Sequence, residues 1–276
     1  MKKLFKIILS LFTLGFTVIL VGVIYVINID PNNHKDWIAG QIDDRSGLQV
    51  TFNGDIGLSL YPWLGITLDQ VVIASPSGFS DTPLFQAETM QIRARLMPML
   101  DREYEIDTIL VHGAQVHLET NAAGQGNWQI SAAENMETAE SQDQEALFNR
   151  LIVGGVDIQN AALTFDDRFN SVLYAMDEFT ASTGELVYGE PLDVFLGFNA
   201  RATQPALSAR VNLTGTALYD LDNQVYEVEP FNMTGTLSGD SVPNGSADIA
   251  LTTNISLNLA EDLLTLRDFS LSALDA

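Results

Sequence analysis

The twelve residues from Asp248 to Leu259, DIALTTNISLNL, decide the fold class. On a two-residue period, Ile249, Leu251, Ile255, Leu257 and Leu259 fall on one side together with Thr253. Asp248, Thr252, Asn254, Ser256 and Asn258 fall on the other, and only Ala250 blurs the polar side. Successive side chains point to opposite faces of a strand, so this pattern predicts a half-buried strand rather than a helix. The same period sets Leu207, Ala209, Val211 and Leu213 against Ser208, Arg210, Asn212 and Thr214, and Met90, Ile92, Ala94 and Leu96 against Gln91, Arg93 and Arg95. One dry and one wet face is the signature of antiparallel strands. Asn244-Gly245 predicts a hairpin turn.

The chain also resembles itself. VNLTGT at 211–216 recurs as FNMTGT at 231–236, and TLDQVVI at 67–73 returns as AMDEFTA at 175–181 and TLRDFSL at 265–271. ILVHGAQVHLE at 109–119 matches VDIQNAALTFD at 156–166, both alternating into a terminal acid. Repeated strand units laid side by side bury a continuous apolar surface. The expected fold is therefore mostly β, an elongated twisted antiparallel sheet of repeated units shaped like a groove. Its candidate lining residues are Val211, Leu213, Ile249, Leu251, Ile255, Leu257 and Leu259.

Other periods mark the remaining segments. Lys2, Lys3 and Lys6 precede an uncharged stretch from Ile7 to Ile29. As a helix rising about 1.5 Å per residue, it is long enough to cross a hydrocarbon core of about 30 Å. We read residues 1–29 as a retained signal anchor, the alternative being a long cleaved signal. The lysines place the N-terminus in the cytoplasm and everything after Asp30 on the far side of the membrane. Next comes a short amphipathic helix carrying Trp37, Ile38 and Ile42 on one face, capped by Asn32 or Asn33 and stopped by Gly47. Residues 30–130 form a first β region and residues 147–276 a second. SAAENMETAESQDQEA at 131–146, with five acids and no aromatic residue, is read as a solvated linker or frayed helix between them.

Composition removes several classes of function. Residues 1–29 carry +3, whereas residues 30–276 hold ten Lys and Arg against 36 Asp and Glu, or -26. Such a surface cannot neutralise a phosphate backbone, so no nucleic-acid partner is expected. The absence of cysteine excludes thiolate metal sites, a cysteine nucleophile and a disulfide scaffold. His112 and His117 stand five apart on a predicted strand, pointing to opposite faces and unable to share a metal. Asp43-Asp44 and Asp166-Asp167 lack the loop spacing of a calcium site. No phosphate-binding glycine loop, nucleophile elbow or zinc-binding helix motif is present. We therefore expect no enzyme, cofactor or metal.

DWIAGQIDDRSGLQVTFNGDIGLSLYPWLGITL from Asp36, followed by SGFSDTPLFQAETMQIRARLMPMLDREYEIDTILVHGAQVHLETNAAGQGNW to Trp128, resembles the N-terminal region of the AsmA family of Gram-negative envelope proteins. The resemblance is carried by a PWLG turn after a GDI strand, at 61–66, a GF loop at Gly78-Phe79, a leucine- and proline-containing turn at 96–100, and a GQGNW hairpin at 124–128. Pro62, Trp63, Gly65, Pro98, Asn127 and Trp128 are read as fold determinants, not catalysts. Pro62 and Gly65 put Trp63 at a turn or strand end, and Pro98 ends the strand begun near Phe85. Asn127 bonds the hairpin backbone, and Trp128 folds back on the sheet.

The resemblance implies an inner-membrane-anchored periplasmic protein of outer-membrane biogenesis, related to proteins that carry phospholipid acyl chains in a long β-groove. It also implies a longer chain with further repeats, so residues 147–276 are read as a truncated form or a short paralogue. A second reading is an envelope scaffold, in which the same apolar faces close into a sandwich core and the outer surface recruits protein partners that assemble or target envelope proteins. Alternation alone does not separate a groove lining from a core.

Overall fold

A computed structural model describes residues 30–60, 63–100, 104–129, 151–220 and 223–275. The expected anchor at 7–29, the acidic linker at 131–146 and Pro62 lie outside the described residues. Among the described residues no helix is long and apolar enough to cross a membrane.

The chain enters through a 3-10 turn, Pro31–His34, and a helix α1, Lys35–Ser46. Asp30 caps the turn by accepting a hydrogen bond from the backbone N–H of Asn32 at 2.9 Å, so the cap lies ahead of the expected Asn32 or Asn33. Gly47 ends α1 in the left-handed region at φ 67°, its N–H donating to the Asp43 carbonyl. Trp37 remains 67% exposed.

Among the described residues sixteen strands form one sheet. Strands β1 (Val50–Phe52) and β2 (Ile56–Ser59) both pair with β3 (Trp63–Ile73), which pairs with β4 (Phe85–Arg95). After β4 the chain turns through a one-turn helix α2, Leu96–Leu100. Leu96 thus leaves the strand to which the alternation assigned it, and Pro98 sits in the turn that ends β4. Strands β5 (Tyr104–Ile106), β6 (Ile109–His112) and β7 (Gln115–Thr120) are successive pieces of one bent line, as are β8 (Leu151–Val153) and β9 (Val156–Asp167). Then β10 (Val172–Thr183) is followed by a two-residue strand, β11 (Leu186–Val187), that pairs with β8. An antiparallel meander completes the sheet: β12 (Leu192–Thr203), β13 (Ala206–Asp220), β14 (Val225–Gly239), β15 (Ser246–Asn258) and β16 (Leu263–Asp275).

One feature corrects the expected topology. The sheet is mixed, because β5 pairs parallel to β8, and β6 and β7 pair parallel to β9. Parallel neighbours need a long connection between them, and residues 121–150 of the sequence separate β7 from β8. The matched segments at 109–119 and 156–166 are these parallel neighbours in register, from Ile109 opposite Val156 to Glu119 opposite Asp166. VNLTGT and FNMTGT instead pair antiparallel about Leu213 opposite Met233. There Gly235 faces Val211 and Gly215 faces Phe231, each glycine making room for its neighbour. A Cβ on Gly235 would stand 2.4 Å from the Arg210 carbonyl oxygen. Asn244 (φ 55°) and Gly245 (φ 85°) form the turn between β14 and β15 that their sequence predicts.

The third family of repeats marks bends. Gln70, Glu178 and Asp268, each the fourth residue of its unit, all have φ near +50°, as does Asn160 in β9, while Gly113 between β6 and β7 is at 63°. At each of these residues the apolar spacing lengthens from two to three: Leu68 to Val71, Val111 to Ala114, Ile158 to Ala161, Met176 to Phe179, Leu266 to Phe269. A strand that slips by one residue sends every later side chain to the opposite face. A single residue turned into the left-handed region restores the face and bends the strand. The register shifts of β10 against both β9 and β12, and of β16 against β15, lie at these positions. Buried Ala87, Ala114 and Ala161 pack beside this line of bends.

Asparagine tolerates the left-handed region and valine does not. We expect Asn160→Val to destabilise the protein by about 1–2 kcal/mol and Asn160→Gly to leave it nearly unchanged. Urea titration followed by tryptophan fluorescence checks this; equal midpoints for both variants would remove the bend from its role.

Candidate functional site: a continuous apolar face

Because directly opposed residues in a ladder share a face, register traces the surface across the sheet. One row runs Ile56, Leu68, Met90, Val111, Ile158, Ala181, Leu196, Leu213, Met233, Leu251 and Leu271, each opposite the next from β2 to β16. A second runs Val50, Ile73, Phe85, Val116, Leu163, Met176, Ala200, Ala209, Leu237 and Ala247. Every member of both rows is apolar. Val211, Leu213, Ile249, Leu251, Ile255 and Leu257 lie on this face, and Leu259 follows just beyond β15 at 48% exposure. Sequence alternation in β13 and β15 located these residues. It missed their partners in β3, β9, β10 and β16, where the three-residue step at each bend was the available signal.

Among the described residues no second sheet or long helix covers this face. Among the described residues only ten apolar residues are buried, four of them alanines, while Tyr174, Leu264, Leu266 and Leu271 remain exposed. A depression of about 240 Å³ opens on the face between Leu163, Tyr174, Met176, Ala200, Leu207 and Leu237. Stacked rings border it: Phe165 lies parallel to Tyr174 at 6.1 Å, and Trp128 meets Phe165 edge-on at 5.8 Å. Trp128 thus folds back on the sheet as its hairpin predicts.

The opposite face is polar and laced across the strands. Thr89 Oγ1 donates to Asp69, Thr216 to Asp193, Thr236 to Asp248 and Ser256 to Glu227, all at 2.8–3.2 Å. Arg201 pairs with Asp177, and Arg267 with Glu229. Trp63 opens β3 on this side, opposite Arg95, whose guanidinium lies 4.9 Å from the ring centroid. Gly65 makes room for Arg93, since a Cβ there would stand 2.5 Å from Arg93 Cγ. His112 and His117 fall on two strands, and the bend at Gly113 brings both to the polar face rather than to opposite faces. His112 Nε2 lies 3.3 Å from Glu88, and His117 Nε2 lies 3.7 Å from Glu119.

The hairpin that carries Trp128 is held by a buried polar knot. Asn127 and Glu119 are both fully buried. Asn127 Oδ1 accepts from the Glu119 N–H at 3.0 Å, while its Nδ2 donates to the His117 carbonyl at 2.8 Å and to Ser75 Oγ at 3.3 Å. Glu119 Oε2 accepts from the Ser80 N–H at 3.2 Å in the loop containing the Gly78-Phe79 pair. Its Oε1 lies 2.8 Å from Arg168 Nη1, an ion pair not aligned as a hydrogen bond. A buried carboxylate is tolerable only with such partners. Beside it, hydrogen bonds from the Asn170 amide and the Thr120 hydroxyl hold the Asp167 carboxyl below its ordinary range. That contribution is present at neutral pH and lost as the pH falls through the lowered value.

A family model described as the AsmA family matches residues 1–269. Among curated proteins, Protein AsmA of Escherichia coli (strain K12) is 22% identical over 142 residues, covering 51% of this chain and 22% of that protein. The chain therefore spans less than a quarter of that relative's length in the match.

Asn127→Ala strips three buried hydrogen-bonding partners at once, and we expect it to cost about 2–3 kcal/mol. Arg168→Ala should destabilise by leaving Glu119 uncompensated, with Glu119→Gln in the same chain recovering part of the loss. Urea midpoints of the four proteins of that cycle read the coupling, and strict additivity would dissolve the knot.

Proposed function

This chain belongs to the AsmA family, and from that premise we propose that it is an inner-membrane-anchored periplasmic protein whose apolar sheet face holds phospholipid acyl chains. Family membership points to the cell envelope. The observation that carries the finer reading is the uncovered face, apolar in row after row from β2 to β16 among the described residues. A soluble domain normally buries such a surface against another layer. Left open, it is a large hydrophobic patch that marks an interaction site.

An alkyl chain suits this surface. Each methylene withdrawn from water contributes about 0.8 kcal/mol, so an acyl chain lying along a face that shields about half of it is held by several kcal/mol. The lining offers no charged side chain in the two traced rows, so it grips tails without fixing a headgroup. Headgroups would remain in water beyond the strand ends. The anchor read at residues 7–29 would keep the sheet beside a membrane from which tails are drawn.

A photo-crosslinking residue at Leu257, with Ser256 as the opposite-face control, tests this in living cells. Leu257 stands opposite Tyr226 and Leu264, whereas the Ser256 hydroxyl donates to Glu227. We expect phospholipid adducts at 257 and none at 256. Adducts of position 257 confined to its own chain or to another protein would replace lipid carriage with the scaffold reading.

A further inference from the structure

The helix α1 keeps its largest apolar side chain outside. Trp37 is 67% exposed, and Ile38, Gln41 and Ile42 beside it are only half-buried. Residues four apart stack on one side of a helix, so Trp37 with Gln41 and Ile38 with Ile42 form two adjacent rows. With Ser46 they line a groove of about 410 Å³ whose walls come from α1 alone. Asp36 and Asp43, seven apart and both exposed, stand on the far side of the helix from this groove. Asp44, seven residues after Trp37, flanks the groove at its C-terminal end. A third side of α1 is tied to the first end of the sheet. Lys35 Nζ donates to the Gly54 carbonyl at 2.7 Å, and in the entry turn Asn32 accepts from the Ile56 N–H at 2.8 Å and donates to the Ile56 carbonyl at 3.2 Å. The groove therefore cannot roll inward without breaking these bonds.

We infer that this face of α1 lies on the phospholipid surface of the membrane, with Trp37 among the headgroups and the groove against the upper part of the acyl chains. The inference rests on the anchor proposed for residues 7–29, and the length of the intervening chain carries it. With Ile29 at the hydrocarbon boundary, only Asp30 and the 3-10 turn Pro31–His34 separate the bilayer from α1. Four residues of such a turn rise about 8 Å, and the headgroup layer on each side of a bilayer is about 5–8 Å thick. Helix α1 thus begins at the outer limit of that layer, whichever way the sheet points. An indole, with an apolar body and one N–H donor, is among the side chains most favoured at this boundary. The acids Asp36 and Asp43 stay in water behind the groove, so the attachment is apolar and independent of salt. Because α1 is tied to Gly54 and, through the entry turn, to Ile56, seating it also sets the first end of the sheet, at β1 and β2, beside the bilayer.

The chain has no cysteine, so single cysteines can carry a spin label without interference. In the full chain reconstituted into liposomes of phosphatidylethanolamine and phosphatidylglycerol, nitroxides at Gln41→Cys and Asp43→Cys compare the two sides of α1, and one at Val18→Cys reports the anchor. Collision with oxygen, which dissolves in lipid, against collision with a water-soluble nickel chelate reads the depth of each label. We expect the label at 41 to favour oxygen and the label at 43 to favour nickel, their ratios differing several-fold at low and high salt alike. In the Gln41→Cys background, Trp37→Glu should return the label to water and Trp37→Phe should not, while the label at 18 stays deep in every variant. Equal, water-like ratios at 41 and 43 with the label at 18 still deep would overturn the inference and leave the anchor standing. A label at 41 shielded from both oxygen and nickel would mean that protein covers the groove, and would overturn it too. Nickel contact at 18 would overturn the anchor and this inference together.

Discussion

A strand has two faces and a period of two, and this protein must keep one face apolar across a long sheet in which several strands bend. Those requirements conflict. Bending a strand by a bulge inserts a residue, and an inserted residue reverses the faces beyond it. The conflict is resolved at Gln70, Gly113, Asn160, Glu178 and Asp268, where one residue in the left-handed region absorbs the inversion. Gly and Asn adopt that conformation easily, but Gln70 and Glu178 do so at a cost of about 1–2 kcal/mol each. Cross-strand packing on both sides of each bend must supply that energy, and the apolar rows through Val111, Ile158 and Ala181 are placed to do so.

The same constraint explains which parts of the fold were legible in the sequence. Strands β13 and β15 are apolar at every second residue from end to end on one face, apart from Gly215 and Thr253, and the alternation located them directly. Bent strands read as irregular because their apolar positions change parity midway. Their self-similarity still betrayed them, since units that bend alike must place the bend residue alike. Parallel pairing of β7 with β9 left no local signal, because it depends on where the chain returns after residues 121–150. The faces of His112 and His117 were misjudged for a related reason: counting residues along a strand fails once Gly113 bends it.

Among the positions that carry the family resemblance, one group has a distinct structural logic. Asn127 and Glu119 are buried where the GNW hairpin meets the sheet, and their partners come from three separate stretches of chain: Ser75 and Ser80, His117, and Arg168. A knot of this kind is specific because each polar group is costly if left alone. Its geometric product is the placement of Trp128 over Phe165. Gly126 belongs to the same device, for a Cβ there would stand 2.5 Å from the indole. Sequence identified Asn127 and Trp128 as structural but not Glu119 or Arg168, whose charges look like surface residues until the fold buries one of them.

An open apolar sheet is a poor way to build a stable domain if stability is the only requirement. Buried area is what offsets chain entropy, and a single layer forgoes about half of what each strand could bury. The polar face compensates with cross-strand hydrogen bonds and ion pairs, whose net contributions are about 0.5–1.5 kcal/mol apiece at best and smaller where exposed. Stability must therefore come chiefly from length, through ladder bonds repeated over strands of twelve to fifteen residues such as β10, β13 and β14. Closing the sheet into a sandwich would gain more. A sequence that keeps its apolar face in phase through bend after bend, yet supplies no second layer among the described residues, is organised around the surface itself. The energy not taken by folding remains available to whatever settles on that face.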